Sequence, residues 1–415
     1  MIFLDVVYNH FGPEGNYLRA YAPEFFTDRH HTPWGEAINF DGRGSRVVRD
    51  FFIHNALYWL QEFHFDGLRF DAVHAIVDDS PRHILTELAE MVRASLPPDR
   101  YVHLILENDA NQASLLRRGE RCRPQAYTAQ WNDDFHHAAH VLITGEHDGY
   151  YCDYKEKPIE QLGRCLTEGF AYQGEKSRHR NGQTRGESTQ GVPLTAFISF
   201  LQNHDQVGNR ANGERLTAVA DSSAVHAAVA VMALAPSPPM LFMGEEFAAG
   251  TPFLYFCDFQ GDLAKAVTQG RRSEFARFAA FADPAARERI PDPNVVSTFE
   301  RSRIDWNSIG QAEHQEWLMY YRGLLKLRRE VIEPHLSSAC RIRGEYRTHG
   351  SFGLTAWWKF ADQAELTLMA NLGPEPIFDF LTPSAPVIYA TNKDSIAALE
   401  KGSLRSWSVL WFLKT

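Results

Sequence analysis

Three acidic residues stand near the ends of three separate apolar segments: Asp71 in Phe65 to Ala72, Glu107 in Tyr101 to Asp109, and Asp205 in Ala196 to Gln206. Two carboxylates that flank a sugar linkage can break it, one as nucleophile or base and the other as acid. Glycoside cleavage is therefore the first chemistry these residues imply. A lone Asp after a strand is more often a cap or turn former, so the weight lies in the context. Apolar residues followed by a burst of polar ones are what a parallel strand entering a loop at the carboxyl end of a barrel looks like.

The elements that must position these acids alternate along the chain. Ile2 to Tyr8 is apolar and β-branched, and Ser45 to Phe63 carries Val48, Phe51, Phe52, Leu57 and Leu60 at helical spacing. Phe65 to Asp71 reads as a second strand, and Ser80-Pro81 as the start of a helix to Leu96. Further strands are expected at Tyr101 to Glu107, Ala126 to Trp131, Ala196 to Gln202 and Met240 to Met243, which makes about six βα units. Such alternation means a parallel sheet or barrel. Ala312 to Glu330 reads as an amphipathic helix closing that region. Beyond it, Arg341 to Tyr346, Leu354 to Phe360, Glu365 to Asn371 and Trp407 to Leu413 are short strands of an antiparallel β domain. The division expected is 1–330 and 331–415. Glu175 to Gly191, rich in Gly, Arg, Ser and Gln, is the candidate mobile loop.

Bulk properties narrow the partner. The 415 residues carry a formal charge of -10 and no long basic run, which argues against nucleic acid or an anionic membrane. A neutral substrate fits better, and 13% aromatic residues can supply stacking platforms for sugar rings. The five cysteines form no CxxC pair and are odd in number, so a disulfide framework or zinc site is not expected and a reducing compartment is the simpler reading. The apolar stretch Ala224 to Ala235, broken by His226 and ended by Pro236, is short of the ~20 residues of a membrane span and reads as a buried helix. The amino terminus has no signal-peptide pattern. A soluble cytoplasmic protein is expected.

Several residues invite a bland reading beside a functional one. His136 and His140 have the i, i+4 spacing of metal ligands, with His137 between them, but no acidic partner completes a HExxH-type site. Trp34, Trp131, Trp357 and Trp358 could stack on sugars, yet only Trp131 sits beside a site motif. Gly244-Glu245-Glu246 reads equally as a cleft lining or a solvated loop. Asp5 lies inside its strand and reads as structural.

Four segments taken together resemble the alpha-amylase family of glycoside hydrolases. They are Asp5-Val6-Val7-Tyr8-Asn9-His10, Gly67-Leu68-Arg69-Phe70-Asp71-Ala72, Leu104-Ile105-Leu106-Glu107-Asn108 and Phe200-Leu201-Gln202-Asn203-His204-Asp205, in that family's order. Longer strings, Tyr8 to Tyr17, Phe70 to Ile76, Gln130 to His137 and His204 to Arg210, are similar to its maltooligosyltrehalose-cleaving branch, with glycogen branching enzymes as the runner-up. The resemblance implies an α/β fold of (β/α)8 TIM-barrel type. Because the family's first motif lies on its third strand and here begins almost at Met1, the expected form is truncated at its amino end to about six βα units, with a small carboxyl-terminal antiparallel β domain.

The same resemblance implies roles. Asp71 would be the nucleophile, kept ionised by Arg69, and Glu107 the general acid, which asks for a raised pKa. Asp205 would stabilise the oxocarbenium-like transition state. His10, Arg69, His74, Trp131, Asn132, Asp133, His204, Gln206 and Asn209 would contact substrate, and no metal or cofactor is called for. The implied reaction is hydrolysis of the α-1,4 bond beside the terminal trehalose of a maltooligosyltrehalose, a substrate made by a separate maltooligosyltrehalose synthase. Three readings stand: a trehalose-releasing hydrolase, a branching transglycosylase, and a sugar-binding remnant without turnover.

Overall fold

The computed structural model describes residues 1–12, 14–32, 35–97, 99–278 and 281–415, so Pro13 and Trp34 lie outside the described residues. The chain forms two compact units, residues 1–133 with 172–198, and residues 134–171 with 199–415.

The first unit is built on β1 (Phe3–Val6), α1 (Ser45–Gln61), β2 (Gly67–Phe70), α2 (Ile84–Ser95), β3 (His103–Leu106), β4 (Ala129–Trp131) and β5 (Phe197–Ile198). The strands pair in parallel in the order β1-β2-β3-β4-β5, each added beside its predecessor in the chain. All of β2 and Leu104 to Leu106 of β3 are buried, as expected of parallel strands covered on both faces. Asp5 pairs with Arg69 and Arg69 with Ile105. The ladder runs one step further, with Asp71 N donating to Val6 O and Glu107 N to Phe70 O, each at 3.0 Å. That last step sets the two acids side by side at neighbouring strand ends. Gly67 is required by the same pairing, because a Cβ there would stand 2.4 Å from the His103 carbonyl oxygen.

Helix α1 buries Val48, Phe52, Ile53, Ala56, Leu57 and Leu60 on one face. Each side chain of this kind contributes about 1.5–3 kcal/mol by leaving water. Arg49, on that same face, reaches the fully buried Asp78 at 2.7 Å and Glu87 at 2.6 Å. Helix α2 does not begin at Ser80-Pro81 as its sequence implied. Asp78 accepts from Ser80 N at 2.9 Å and from Ile84 N at 2.5 Å, so the chain turns about that carboxylate first. The cap is His83, whose Nδ1 accepts from Leu85 N at 3.2 Å. The segment read as a mobile loop contains a short ladder, Glu175–Lys176 against Thr184–Arg185, and is tied down through Arg180 and Arg185.

The second unit holds α3 (Asp133–Thr144), α4 (Pro158–Glu168), α5 (His204–Gly208), α6 (Ser222–Leu234) and α7 (Ala312–Leu327). Its antiparallel sheet is made of β6 (Arg343–His349), β7 (Gly353–Lys359), β8 (Glu365–Asn371), β9 (Val387–Ala390) and β10 (Ser408–Lys414), in the order β6-β7-β8-β10-β9. Helix α6 is the buried apolar helix its composition announced. Trp358 and Trp411 stack at 5.5 Å in the sheet core, and their indole N–H groups bond the Leu166 and Ala230 carbonyls. Trp358 is thus packing, whereas Trp357 is partly exposed on the other face.

The sixth expected strand, Met240 to Met243, is reduced to one parallel bridge between Ser199 and Pro239. Met240 N still donates to Ser199 O, but Phe242 N is taken by the Glu245 carboxylate and Met243 O by Arg215, so the ladder goes no further. The expected six parallel strands therefore resolve into five paired ones among the described residues. Cys152, Cys165 and Cys257 are free thiols, but Cys122 and Cys340 are each disulfide-bonded, which the cysteine count did not anticipate. No helix among the described residues is long and apolar enough to cross a membrane.

Gly244-Glu245-Glu246 is not a solvated loop at its central residue. Glu245 is buried, accepting from Tyr321 Oη at 3.0 Å and from Phe242 N at 3.1 Å, and burial pushes its carboxyl up to about 7. A carboxyl raised above its unfolded value costs stability as pH rises from about 4.5 to about 7, by at most roughly 3 kcal/mol. Glu245→Gln is therefore expected to melt progressively higher relative to the parent between pH 5 and pH 7.5. A pH-independent difference in melting temperature would show that the group is ionised throughout.

Candidate active site

Arg69 organises the carboxyl end of the first unit's sheet. Two residues apart on one strand, Arg69 and Asp71 point to the same face, and Asp5 shares it through the register. Nη1 of the buried Arg69 donates to Asp5 Oδ1 at 2.8 Å, Asp5 Oδ2 at 2.9 Å and Asp71 Oδ1 at 2.8 Å, while Nη2 donates to Glu107 Oε2 at 2.5 Å. Three carboxylates thus converge on one guanidinium. Burial works against that charge, but Glu107, Asp5 and Asp71 outweigh it and hold Arg69 above its ordinary range. The Trp131 ring covers it, 4.1 Å from the guanidinium carbon to the ring centre.

Each acid has a second anchor. Asn9 Nδ2 donates to Asp71 O at 2.8 Å and Asp71 Oδ2 at 2.9 Å, and its Oδ1 bonds His10 Nδ1. Ala72 N donates to Glu107 Oε2 at 2.9 Å from a left-handed conformation with φ 38°, a turn that a non-glycine residue adopts only when its surroundings enforce it. Burial lowers the His10 pKa despite the Asp71 charge, and His74 is likewise lowered first by burial, so both rings are biased towards the neutral form. His74 Nδ1 accepts from Asp109 N at 3.3 Å. Asp109 is pushed up by burial, but Arg185 and Arg180 outweigh this and hold it below the usual carboxylate range. Asn132 is fully buried, with its backbone N on Ile198 O, and Asp133 begins α3.

In the second unit, His204, Asp205 and Gln206 occupy one turn of α5, capped by Asn203, whose side chain accepts from Gln206 N at 2.9 Å. His204 Nε2 lies 3.5 Å from Asp205 Oδ1, and both side chains are about two-fifths exposed. Asn209 follows, exposed, with its backbone N on Asp205 O. Tyr150 Oη donates to Gln206 Oε1 at 3.0 Å, and Arg271 Nη2 donates to the Gly208 and Arg210 carbonyls at 2.7 and 2.8 Å.

The histidines with metal-ligand spacing belong to this support. His136 Nδ1 donates to Leu201 O at 2.6 Å and its Nε2 bonds Tyr151 Oη at 2.9 Å. Burial pushes His136 down to about 3, so it stays neutral. His140 Nε2 bonds Glu146 Oε2 at 2.8 Å, and Glu146 receives Arg210 at 2.7 and 3.0 Å. The i, i+4 pair is spent on hydrogen bonds, not turned to a common centre.

Within the first unit the structure brings together His10, Arg69, Asp71, His74, Glu107 and Trp131. Within the second it brings together His204, Asp205, Gln206 and Asn209. Sequence reasoning passed over Asn9, although it sits in the first motif, and read Asp5 as merely structural although it shares the Arg69 cation. Tyr150 was also missed, since nothing in its local sequence marks it.

No family model matches the chain. It is 41% identical over 330 residues to a malto-oligosyltrehalose trehalohydrolase of Saccharolobus solfataricus, an alignment covering 79% of this chain and 54% of that protein, so the chain spans about half the length of that curated relative. A glucan branching enzyme of Thiobacillus denitrificans matches over 90 residues only, 20% of this chain. A solved structure from Salmonella typhimurium described as an alpha amylase superposes with a TM-score of 0.91 at 41% identity, over the whole of this chain and 68% of that one. The chain belongs to the alpha-amylase family.

Proposed function

We propose that the chain hydrolyses, with retention, the α-1,4 bond next to the terminal trehalose of a maltooligosyltrehalose. The observation that carries the chemistry is the placement of Asp71 and Glu107 on adjacent nitrogens of one guanidinium at neighbouring strand ends. Two carboxyls bridged by one guanidinium suit the nucleophile and acid pair of a retaining enzyme, which stand closer together than the pair of an inverting one.

Asp71, held by Arg69 and Asn9, attacks the anomeric carbon. Glu107 protonates the departing glucosidic oxygen, and trehalose leaves. Water, deprotonated by Glu107, then displaces Asp71 from the glycosyl intermediate and restores both groups. Arg69 Nη2 and Ala72 N hold Glu107 Oε2 in place for both steps. Asp205, His204, Gln206 and Asn209 take their roles as third acid and sugar contacts from the motif they share with the family. Asn132 and Asp133 take theirs on the same ground, Asn132 acting through its backbone position. The substrate rests on the names of the relatives, whereas coupling to a maltooligosyltrehalose synthase, a cytoplasmic setting and a division near residue 330 rest on the sequence alone.

The test is incubation of the 415-residue chain with maltotriosyltrehalose, following trehalose and reducing ends. Hydrolysis of this non-reducing substrate gives both, branching gives no reducing ends, and binding without either product selects the remnant. A local support is testable in the same assay. Tyr150→Phe removes the donor to Gln206 and is expected to raise KM about fivefold, the worth of one hydrogen bond, with kcat and melting temperature nearly unchanged. An unchanged KM would release Gln206 from the substrate site.

A further inference from the structure

The turn joining β6 to β7 and the segment following β8 enclose an open cavity of about 590 Å³ in the antiparallel sheet of the second unit. Its size falls in the ~300–1,000 Å³ range of small-ligand sites. Phe378 presents its ring there, 66% exposed, beside Pro374 and Pro376. Arg347, Glu375 and Asp379 stand around the same opening, and none of their side chains hydrogen-bonds another described residue. In the floor, His349 stacks on Phe380 at 4.1 Å and bonds Thr355 Oγ1 at 2.9 Å.

This lining selects against simple ions. One guanidinium and two carboxylates give no net attraction for phosphate, and the guanidinium opposes a metal cation. A neutral ligand rich in hydroxyls uses both kinds of group at once, since each hydroxyl donates to a carboxylate and accepts from a guanidinium. The exposed ring and the proline faces then suit the C–H face of a pyranose. We propose that this cavity binds a neutral oligosaccharide, a stretch of α-1,4-linked glucan, at a site of its own on the antiparallel sheet. The choice of an α-linked chain rests on the reading of the catalytic residues given above. The consequence is a second foothold for long substrates, which raises their effective concentration without new catalytic contacts.

The experiment is calorimetric titration of the full chain carrying Asp71→Asn with maltoheptaose, and with cellohexaose as a β-linked control, alone and combined with Phe378→Ala or Glu375→Gln. The proposal expects an α-glucan site that either second substitution weakens at least tenfold, with the melting temperature kept and no comparable binding of cellohexaose. Phe378→Ala in the otherwise unaltered chain should leave hydrolysis of maltotriosyltrehalose unchanged and raise KM for long chains only. Glucan binding that is untouched by both substitutions overturns the proposal, whatever the hydrolysis assay shows. Binding that remains sensitive to Phe378 in a chain without hydrolysis upholds the cavity and rejects the catalytic reading instead.

Discussion

Asp71→Asn is expected to lower trehalose release by a factor on the order of 10⁴ or more, the scale on which loss of a covalent nucleophile is felt. The substitution is nearly isosteric, and its amide oxygen can still accept from Asn9 or Arg69, whose bonds to Asp71 are 2.9 and 2.8 Å. Asp5 and Glu107 still neutralise the guanidinium, so the melting temperature should hardly move. A small anion such as azide can enter where the carboxylate oxygen was. It should restore part of the turnover and yield a glycosyl azide of inverted configuration, because one displacement replaces two. Glu107→Gln gives a contrasting signature, with a loss that is large for the natural substrate and small for one whose leaving group needs no proton. Retention of more than a hundredth of the parent rate by Asp71→Asn would remove Asp71 from the nucleophile's place and the proposed mechanism with it.

The parts of this site that were legible in the sequence are those the backbone determines locally. Arg69 and Asp71 share a face because strands have a period of two. The apolar runs around Leu68 and Leu104 gave the strands that carry the acids. What depended on long-range register was not legible. That Asp5 lies opposite Arg69 is a property of the β1–β2 pairing, sixty-four residues apart in the chain. The start of α2 was misjudged because Ser80-Pro81 is a good local cap, and only the buried Asp78 with its partner Arg49 shows why the chain turns elsewhere first. The strand at Met240 to Met243 was overcalled because apolarity was counted, whereas the partners that take Phe242 N and Met243 O, Glu245 and Arg215, are set by the fold. The His136 and His140 spacing was equally ambiguous, since the same face of a helix that could hold a metal can hold a carbonyl and a carboxylate.

The convergence of Asp5, Asp71 and Glu107 on Arg69 makes that arginine the residue whose loss should reach furthest. Arg69→Met keeps most of the side chain's length and apolar bulk beneath Trp131 but leaves three carboxylates facing one another. Removing one partner from a fully buried ion pair costs about 3–5 kcal/mol; with Asp5 half exposed the cost here is smaller, and a lower melting temperature is still expected at neutral pH. The acids also lose the fork that fixes their positions relative to one another. The rate at its optimum should drop about 10²–10³-fold, the usual effect of removing one fixed electrostatic contact from an active site. Arg69→Lys supplies the charge without the fork and can serve fewer of the three acceptors at once. It should recover much of the lost stability and little of the lost rate, and that split distinguishes positioning of the acids from mere neutralisation. If Arg69→Met kept most of the parent's rate, the guanidinium would be a structural pin, and the two acids would not depend on it for their chemistry.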